Sequence, residues 1–217
     1  MIIHLNLQDR LVVVIGGGNE ALKRINSLLR ENCQILVISS VINNQIKTLV
    51  KNKKIKFKKQ KIQNTDIFST QKPYMIITTT NDKKLNQKII NYAKKKKIIA
   101  YSSDNPDLSD FANPAIIDFE NIIQIAIFTG GRSPAMSKKL REESEKIFKK
   151  IITKEDINQI KIQNKARELA KSVIATQNER KRYLRQIMSD KEIKQLIKDG
   201  KLKKAEKQAT TILRNWK

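Results

Sequence analysis

The 217-residue chain holds one cysteine and one histidine. Cys33 alone can form neither an internal disulfide nor a cysteine metal cluster. His4 alone excludes a histidine-rich zinc site and a Ser-His-Asp triad, and no metal site is expected. Long apolar runs are missing as well: none approaches the ~20 residues that span a bilayer. The opening stretch Met1-Ile2-Ile3-His4-Leu5 has no basic segment and no cleavage site. These absences lead us to expect a soluble cytoplasmic protein without a membrane partner. Acidic residues are scarce, 21 against 45 Lys and Arg, which gives a formal charge of +24. The plain reading is lysine-rich composition. A basic protein nevertheless attracts anions over long range, and nucleic acid, an anionic membrane or a polycarboxylate would all fit. A hydrophobic share of 39% suffices for a core.

Glycine is scarce too, and five of the six fall in two clusters, Gly16-Gly17-Gly18 and Gly130-Gly131. The first follows the apolar run Leu11-Val12-Val13-Val14-Ile15 and precedes a segment with helical spacing of apolar residues. Strand, glycine turn and helix in that order make Gly16-x-Gly18-x-x-Ala21 a dinucleotide-binding fingerprint. Gly16 allows the tight turn, Gly18 the approach of a pyrophosphate, and Ala21 close packing of helix on strand. The helix N-terminus then offers N–H groups to phosphate. A glycine turn that closes a βα unit without a ligand is the plain alternative.

Strand-like segments recur at 11–15, 34–39, 54–57, 75–79, 98–102 and 122–128, with helical patterns at 19–30, 41–51 and 83–95. Such alternation predicts a parallel sheet covered on both faces, with ligands at the carboxyl ends of its strands. His4 is expected in an N-terminal strand, in a structural role. Near Phe111 the pattern changes to two adjacent strands, 114–121 and 122–128, with a turn at Glu120-Asn121. Ser133 then reads as a helix N-cap and Pro134 as the first helical residue. From Lys154 onward there is no proline and only Gly200, so helices are expected at 155–175, 177–188, 190–198 and 202–216. The fold class is therefore α/β: a Rossmann-like doubly wound sheet over 1–112, a small α+β dimerisation segment over 113–150 and an all-helical C-terminal domain over 151–217.

Several stretches together resemble the precorrin-2 dehydrogenase family, the dehydrogenase and ferrochelatase module of siroheme synthases. They are Leu5-x-Leu7-x-x-Arg10, Val14-Ile15-Gly16-Gly17-Gly18-Asn19-Glu20-Ala21, Ile77-Thr78-Thr79-Thr80-Asn81-Asp82 and Ser103-Asp104-Asn105-Pro106. Phe111-x-x-Pro114-Ala115-Ile116-Ile117-Asp118 and Gln124-Ile125-Ala126-Ile127-Phe128-Thr129-Gly130-Gly131-Arg132-Ser133-Pro134 complete the set, the last being the most specific. The resemblance is to the stand-alone form. It implies NAD-dependent oxidation of precorrin-2 to sirohydrochlorin, an anionic tetrapyrrole substrate and a homodimer built after the nucleotide-binding domain. Some members also insert Fe²⁺, and a bifunctional dehydrogenase and ferrochelatase is one alternative. A nucleotide-sensing regulator with a nucleic-acid-binding basic tail is the other. That tail has only Tyr183 and Trp216 interleaved, a poor match to single-strand stacking platforms.

The resemblance marks Asp104 as catalytic. It follows the 98–102 strand, and a carboxylate there can take the proton that dehydrogenation or chelation releases; Ser-Asp-Asn-Pro is otherwise an ordinary turn. Family positions that touch NAD correspond to Asn19 and Glu20, although an acid in a first helical turn also suits the helix dipole. The acid that usually holds the ribose about 20 residues past the fingerprint is missing. The residues there are Ser39, Ser40 and Val41, and relatives bind NAD through backbone and small side chains at this turn. Thr80, ending the fourth strand, is a further cofactor contact. Thr129, Gly130 and Ser133 could bind a substrate carboxylate in an anion nest or pack a domain junction. Asp107, Asp110 and Asp118 read as solvated turn acids.

Overall fold

A computed structural model of the chain describes residues 2–216. Met1 and Lys217, the outer limits of the first and last expected domains, lie outside the described residues. The fold divides into two compact units, with the break between Asn113 and Pro114.

The first unit is a five-stranded parallel sheet in the order β3-β2-β1-β4-β5. Its strands are β1 (Leu11–Ile15), β2 (Gln34–Ser39), β3 (Lys56–Lys59), β4 (Met75–Thr78) and β5 (Ile99–Ser102). The unbroken apolar run of β1 is what a strand covered on both faces requires. Val12 and Val14 pack under α1 (Asn19–Leu28) and α2 (Asn44–Lys51), with Ala21, Ile25 and Ile46. Val13 and Ile15 face the opposite layer, where α3 (Ile67–Gln71) and α4 (Lys83–Lys95) contribute Phe68, Ile89, Ile90 and Ala93. The chain winds outward from β1 through β2 to β3, then returns to β4 on the other side of β1. The crevice at that switch, beyond the carboxyl ends of β1 and β4, is where such sheets take ligands.

Several expected boundaries move for local reasons. The second helix starts at Asn44, not 41, because the Asn43 side chain accepts from the Ile46 N–H at 2.8 Å and caps it. β3 is shifted to 56–59, as Lys53 turns in the left-handed region at φ 55° and Lys56 is the residue that pairs with Leu36. Helix α3 has no counterpart in the sequence reading, since five residues are too few to show a helical period. The N-terminal strand expected around His4 does not form. Both sides of β1 are already paired, to β2 and β4, and residues 2–7 run outside the sheet. His4 is exposed, with Nε2 3.6 Å from Glu31.

In the second unit, β6 (Ala115–Phe119) and β7 (Ile123–Ile127) form an antiparallel hairpin. Glu120 and Asn121 turn it with φ of 55° and 57°, the primed geometry that matches strand twist. Helix α5 (Pro134–Ile151) follows, then α6 (Lys154–Val173), α7 (Gln177–Ser189), α8 (Lys191–Lys198) and α9 (Leu202–Arg214). Side chains of Ser133, Thr153, Thr176 and Asp190 cap α5 to α8 in turn. The Glu120 carboxylate bonds to Lys154 and to Lys161, and these partners hold it down to about 2. The α6–α9 core closes around Tyr183, whose ring is fully buried and whose hydroxyl donates to the Ala209 carbonyl at 2.9 Å. Trp216 meets that ring edge-on, with centroids 5.4 Å apart.

Two predictions follow from this packing. A Cβ at Gly17 would stand against the Val41 carbonyl and 2.9 Å from Ile42 Cα, whereas one at Gly18 meets nothing within 4 Å. Gly17→Ala should therefore cost about 1–3 kcal/mol, the usual range for overpacking, and Gly18→Ala far less; urea unfolding followed by circular dichroism will separate them. Burial pushes the Tyr183 phenol up to about 12. The folded state thus favours the neutral phenol, and its contribution is complete below the unfolded value near ~10 and disappears as pH rises to about 12. Tyr183→Phe should lose about 1 kcal/mol at neutral pH and lack this alkaline component, read through Trp216 fluorescence during denaturation.

Candidate functional site

The carboxyl ends of β1, β2 and β4 are joined by backbone. Gly16 N–H donates to Ile38 O at 3.1 Å, and Thr79 donates to Ile15 O at 2.8 Å through both its N–H and its hydroxyl. Gly16 sits at φ 119°, where a Cβ would fall 3.0 Å from the Thr79 carbonyl oxygen. Gly17 O accepts from Asn43 N–H at 2.9 Å, and the Asn43 amide reaches Asn19 Oδ1 at 3.3 Å. The structure thus brings Gly16, Gly18 and Asn19 together with Ser39 at the end of β2 and the loop after it, which carries Ser40 and Val41. Sequence reasoning credited Gly16 and Gly18 and passed over Gly17, the position where the two loops come closest.

No side chain caps α1, in contrast to α2 and α4, which Asn43 and Asp82 close. Open space above Gly18 and an uncapped helix start fit a bound pyrophosphate: a cradle that a side chain would fill, with N–H groups at its base. Glu20 is engaged within its own helix, by Lys23 and Arg24. Burial pushes its carboxyl up, but Arg24 and Lys23 outweigh that and hold it below the usual range. Arg24 itself lies over the Tyr101 ring, 4.7 Å from its centroid. Ser39 Oγ donates to Val41 O at 2.7 Å, while Val41 is 74% exposed.

Asp104 lies just past β5. Its Oδ1 accepts from Asn86 Nδ2 at 2.8 Å and from Ser102 Oγ at 2.7 Å. Among the described residues no protein donor is recorded on Oδ2. Asn86 is 1% exposed on α4, and its remaining polar atoms are spoken for. Nδ2 also donates to Thr80 O at 2.9 Å, and Oδ1 accepts from Thr80 Oγ1 at 2.6 Å. The Thr80 hydroxyl is thereby committed to the protein. Ser102 is fully buried and accepts from Thr78 Oγ1 at 3.3 Å. A continuous polar chain therefore runs from the end of β4 to Asp104. The sequence carried no signal for Asn86, because an asparagine inside a helix reads as a solvated position.

The other candidates make local contacts of their own. Asp110 accepts from the Ala100 N–H at 2.8 Å and Ser109 from the Ser102 N–H at 2.9 Å, so residues 109–110 pair with the outer edge of β5. Asp118 Oδ1 accepts from Asn121 N–H in the hairpin turn. Thr129, Gly130 and Ser133 belong to the second unit. There Thr129 Oγ1 bonds to Ser137 Oγ at 2.8 Å, Ser133 Oγ caps Met136 N–H, and Gly130 and Gly131 lie at φ 65° and 74°. Among the described residues no three His, Cys, Asp or Glu side chains are grouped to hold a metal, and no helix is long and apolar enough to cross a membrane.

Comparison with known proteins agrees with this geometry. The chain is 24% identical over 213 residues to a siroheme synthase of Actinobacillus pleuropneumoniae, covering 98% of this chain and 42% of that protein. It is 32% identical over 146 residues to siroheme synthases of Buchnera aphidicola and of Nitrosomonas europaea, covering 67% of this chain and 30% of each. The chain thus spans less than half the length of these curated relatives. A solved structure titled SirC, precorrin-2 dehydrogenase, has the same fold, with a TM-score of 0.69, 20% identity, and coverage of 97% of this chain and 99% of that one. The NAD(P)-binding family model (NAD_binding_7) matches residues 3–115, the span that holds the glycine turn, the loop after β2 and Asp104. The chain belongs to this NAD(P)-binding family.

Proposed function

We propose that the chain is an NAD-dependent dehydrogenase that oxidises precorrin-2 to sirohydrochlorin, working as a cytoplasmic homodimer. The observation that carries this reading is Asp104, a carboxylate at the ligand edge of a dinucleotide-binding sheet, fixed through one oxygen by Asn86 and Ser102. The names of the relatives and of the matched structure support the choice of substrate. NAD, when bound, supplies the acceptor for the hydride that leaves the substrate carbon. The first turn of α1 and the space above Gly18 would hold its phosphates. Loss of hydride makes the substrate more acidic, and Asp104 Oδ2 would take the proton released. The Asn86 and Ser102 bonds keep the carboxylate from rotating away. A substrate with many carboxylates is drawn to a chain of charge +24 by long-range attraction that salt weakens.

An apolar surface on the second unit supports the homodimer. No residue of α5 is buried along its length. Met136, Leu140, Ile147 and Ile151 are exposed on it, as are Ile116, Ile122 and Phe128 on the hairpin. Grouped exposure of this kind marks a protein interface.

These readings predict three outcomes. Gly18→Val should fold, as nothing stands within 4 Å of its Cβ, but bind NADH much more weakly in calorimetric titration; unchanged affinity would remove the cofactor site from the turn. Asp104→Ala should keep NADH affinity and lose about 10²–10⁴-fold in turnover of precorrin-2, the range for removal of a general base; near-normal turnover would leave Asp104 as a turn residue. Light scattering should report twice the 25.1 kDa chain mass, and Ile147→Asp should shift the population toward monomer.

A further inference from the structure

We infer that a lysine-rimmed cavity beside the loop after β2 is a subsite for the 2′-phosphate of a dinucleotide, so that this chain accepts NADP(H) as well as NAD(H). The inference rests on the nucleotide reading above and concerns the adenosine end of the same site. The cavity measures about 490 Å³ and lies between the β2–α2 loop, α2 and the end of β3. Its lining includes the apolar residues Val41 and Phe57, the hydroxyl-bearing Ser40 and three cationic residues, Lys47, Lys51 and Lys59. Among the described residues that line it there is no carboxylate.

Three observations point the same way. The position that in NAD-selective folds carries an acid, whose charge repels a 2′-phosphate, is here Ser39-Ser40. Ser39 Oγ is tied to Val41 O, which leaves Ser40 as the free hydroxyl of that turn. Among the described residues the Lys47 ammonium is recorded with a neutral partner, Asn44 Oδ1 at 3.3 Å, and with no carboxylate. Val41, 74% exposed, is an apolar side chain left open next to the lysines, as a surface for adenine would be. A phosphate monoester carries about −1.5 to −2 charges at neutral pH, and ammonium groups from two elements, α2 and β3, can meet it at once. Lysine is abundant over the whole chain, so what distinguishes this group is the cavity and its position at the ribose turn.

Calorimetric titrations with NADH and NADPH, and with the equally charged isomers 3′,5′-ADP and 2′,5′-ADP, test the inference in low and moderate salt. The expected result is binding of both dinucleotides, with NADPH favoured by roughly tenfold at low salt, the scale that a few exposed ion pairs give together. 2′,5′-ADP should likewise bind more tightly than 3′,5′-ADP. In Lys51→Gln/Lys59→Gln the NADPH to NADH ratio should fall toward one. In the control Lys203→Gln/Lys204→Gln, on exposed α9 positions of the second unit, it should persist. Binding of NADH with no gain for NADPH would overturn the subsite and leave the nucleotide reading standing. An equal fall in the control variant would overturn it in favour of general charge. Binding of neither dinucleotide would remove both.

Discussion

The close approach of two backbone segments, Gly17 against Val41 and Ile42, governs the ligand edge of the first unit. Only a residue without a Cβ lets the turn after β1 touch the loop after β2, and only then can Asn43 N–H reach Gly17 O. That bond sets where α2 begins, since the same Asn43 caps it. On the other side of β1, Thr79 is tied to Ile15 by two bonds, and Thr80 follows at once. From Thr80 the polar contacts continue through Asn86 to Asp104. A displacement of the glycine turn would therefore be felt at both ends of the crevice, at the phosphate cradle and at the carboxylate.

How far the sequence discloses this arrangement depends on the kind of signal each residue leaves. β1 is legible because five consecutive apolar residues suit a strand covered on both faces, and α4 because Asp82 precedes a regular apolar period. β3 is poorly legible: its sequence Lys-Phe-Lys-Lys carries one apolar residue, and pairing with β2, not hydrophobicity, sets its register. α3 leaves no period, although Phe68 is among the most buried side chains of the unit. At the site, Gly16 and Gly18 announce themselves by spacing. Asn86 does not, because its value comes from standing opposite Thr80 and Asp104, which are distant from one another in sequence. The hairpin turn at Glu120-Asn121 was readable, whereas the ion pairs from Glu120 to Lys154 and Lys161 emerge only from the fold.

The two units use different means to hold their cores. The sheet unit relies on β-branched and branched aliphatic side chains sandwiched between helices, and its buried polar side chains, Thr78, Asn86 and Ser102, belong to β4, α4 and β5. The α6–α9 bundle has a smaller apolar supply and closes around Tyr183, whose hydroxyl finds the Ala209 carbonyl, with alanines at Ala166, Ala170, Ala205 and Ala209 allowing the helices to approach. Side-chain caps on α6, α7 and α8 define where each helix starts in a region with no proline to do so.

An open sheet ends in two strands whose outer N–H and C=O groups could recruit another strand. In this sheet the two ends differ. At β5, Ser109 and Asp110 occupy the outer groups with side-chain oxygens and one backbone bond. At β3 nothing comparable is recorded among the described residues, but the strand is short and carries Lys56, Lys58 and Lys59. Lysines on an exposed edge repel an identical edge and keep it hydrated. The features that make β3 hard to recognise as a strand thus also guard the protein against edge-to-edge aggregation.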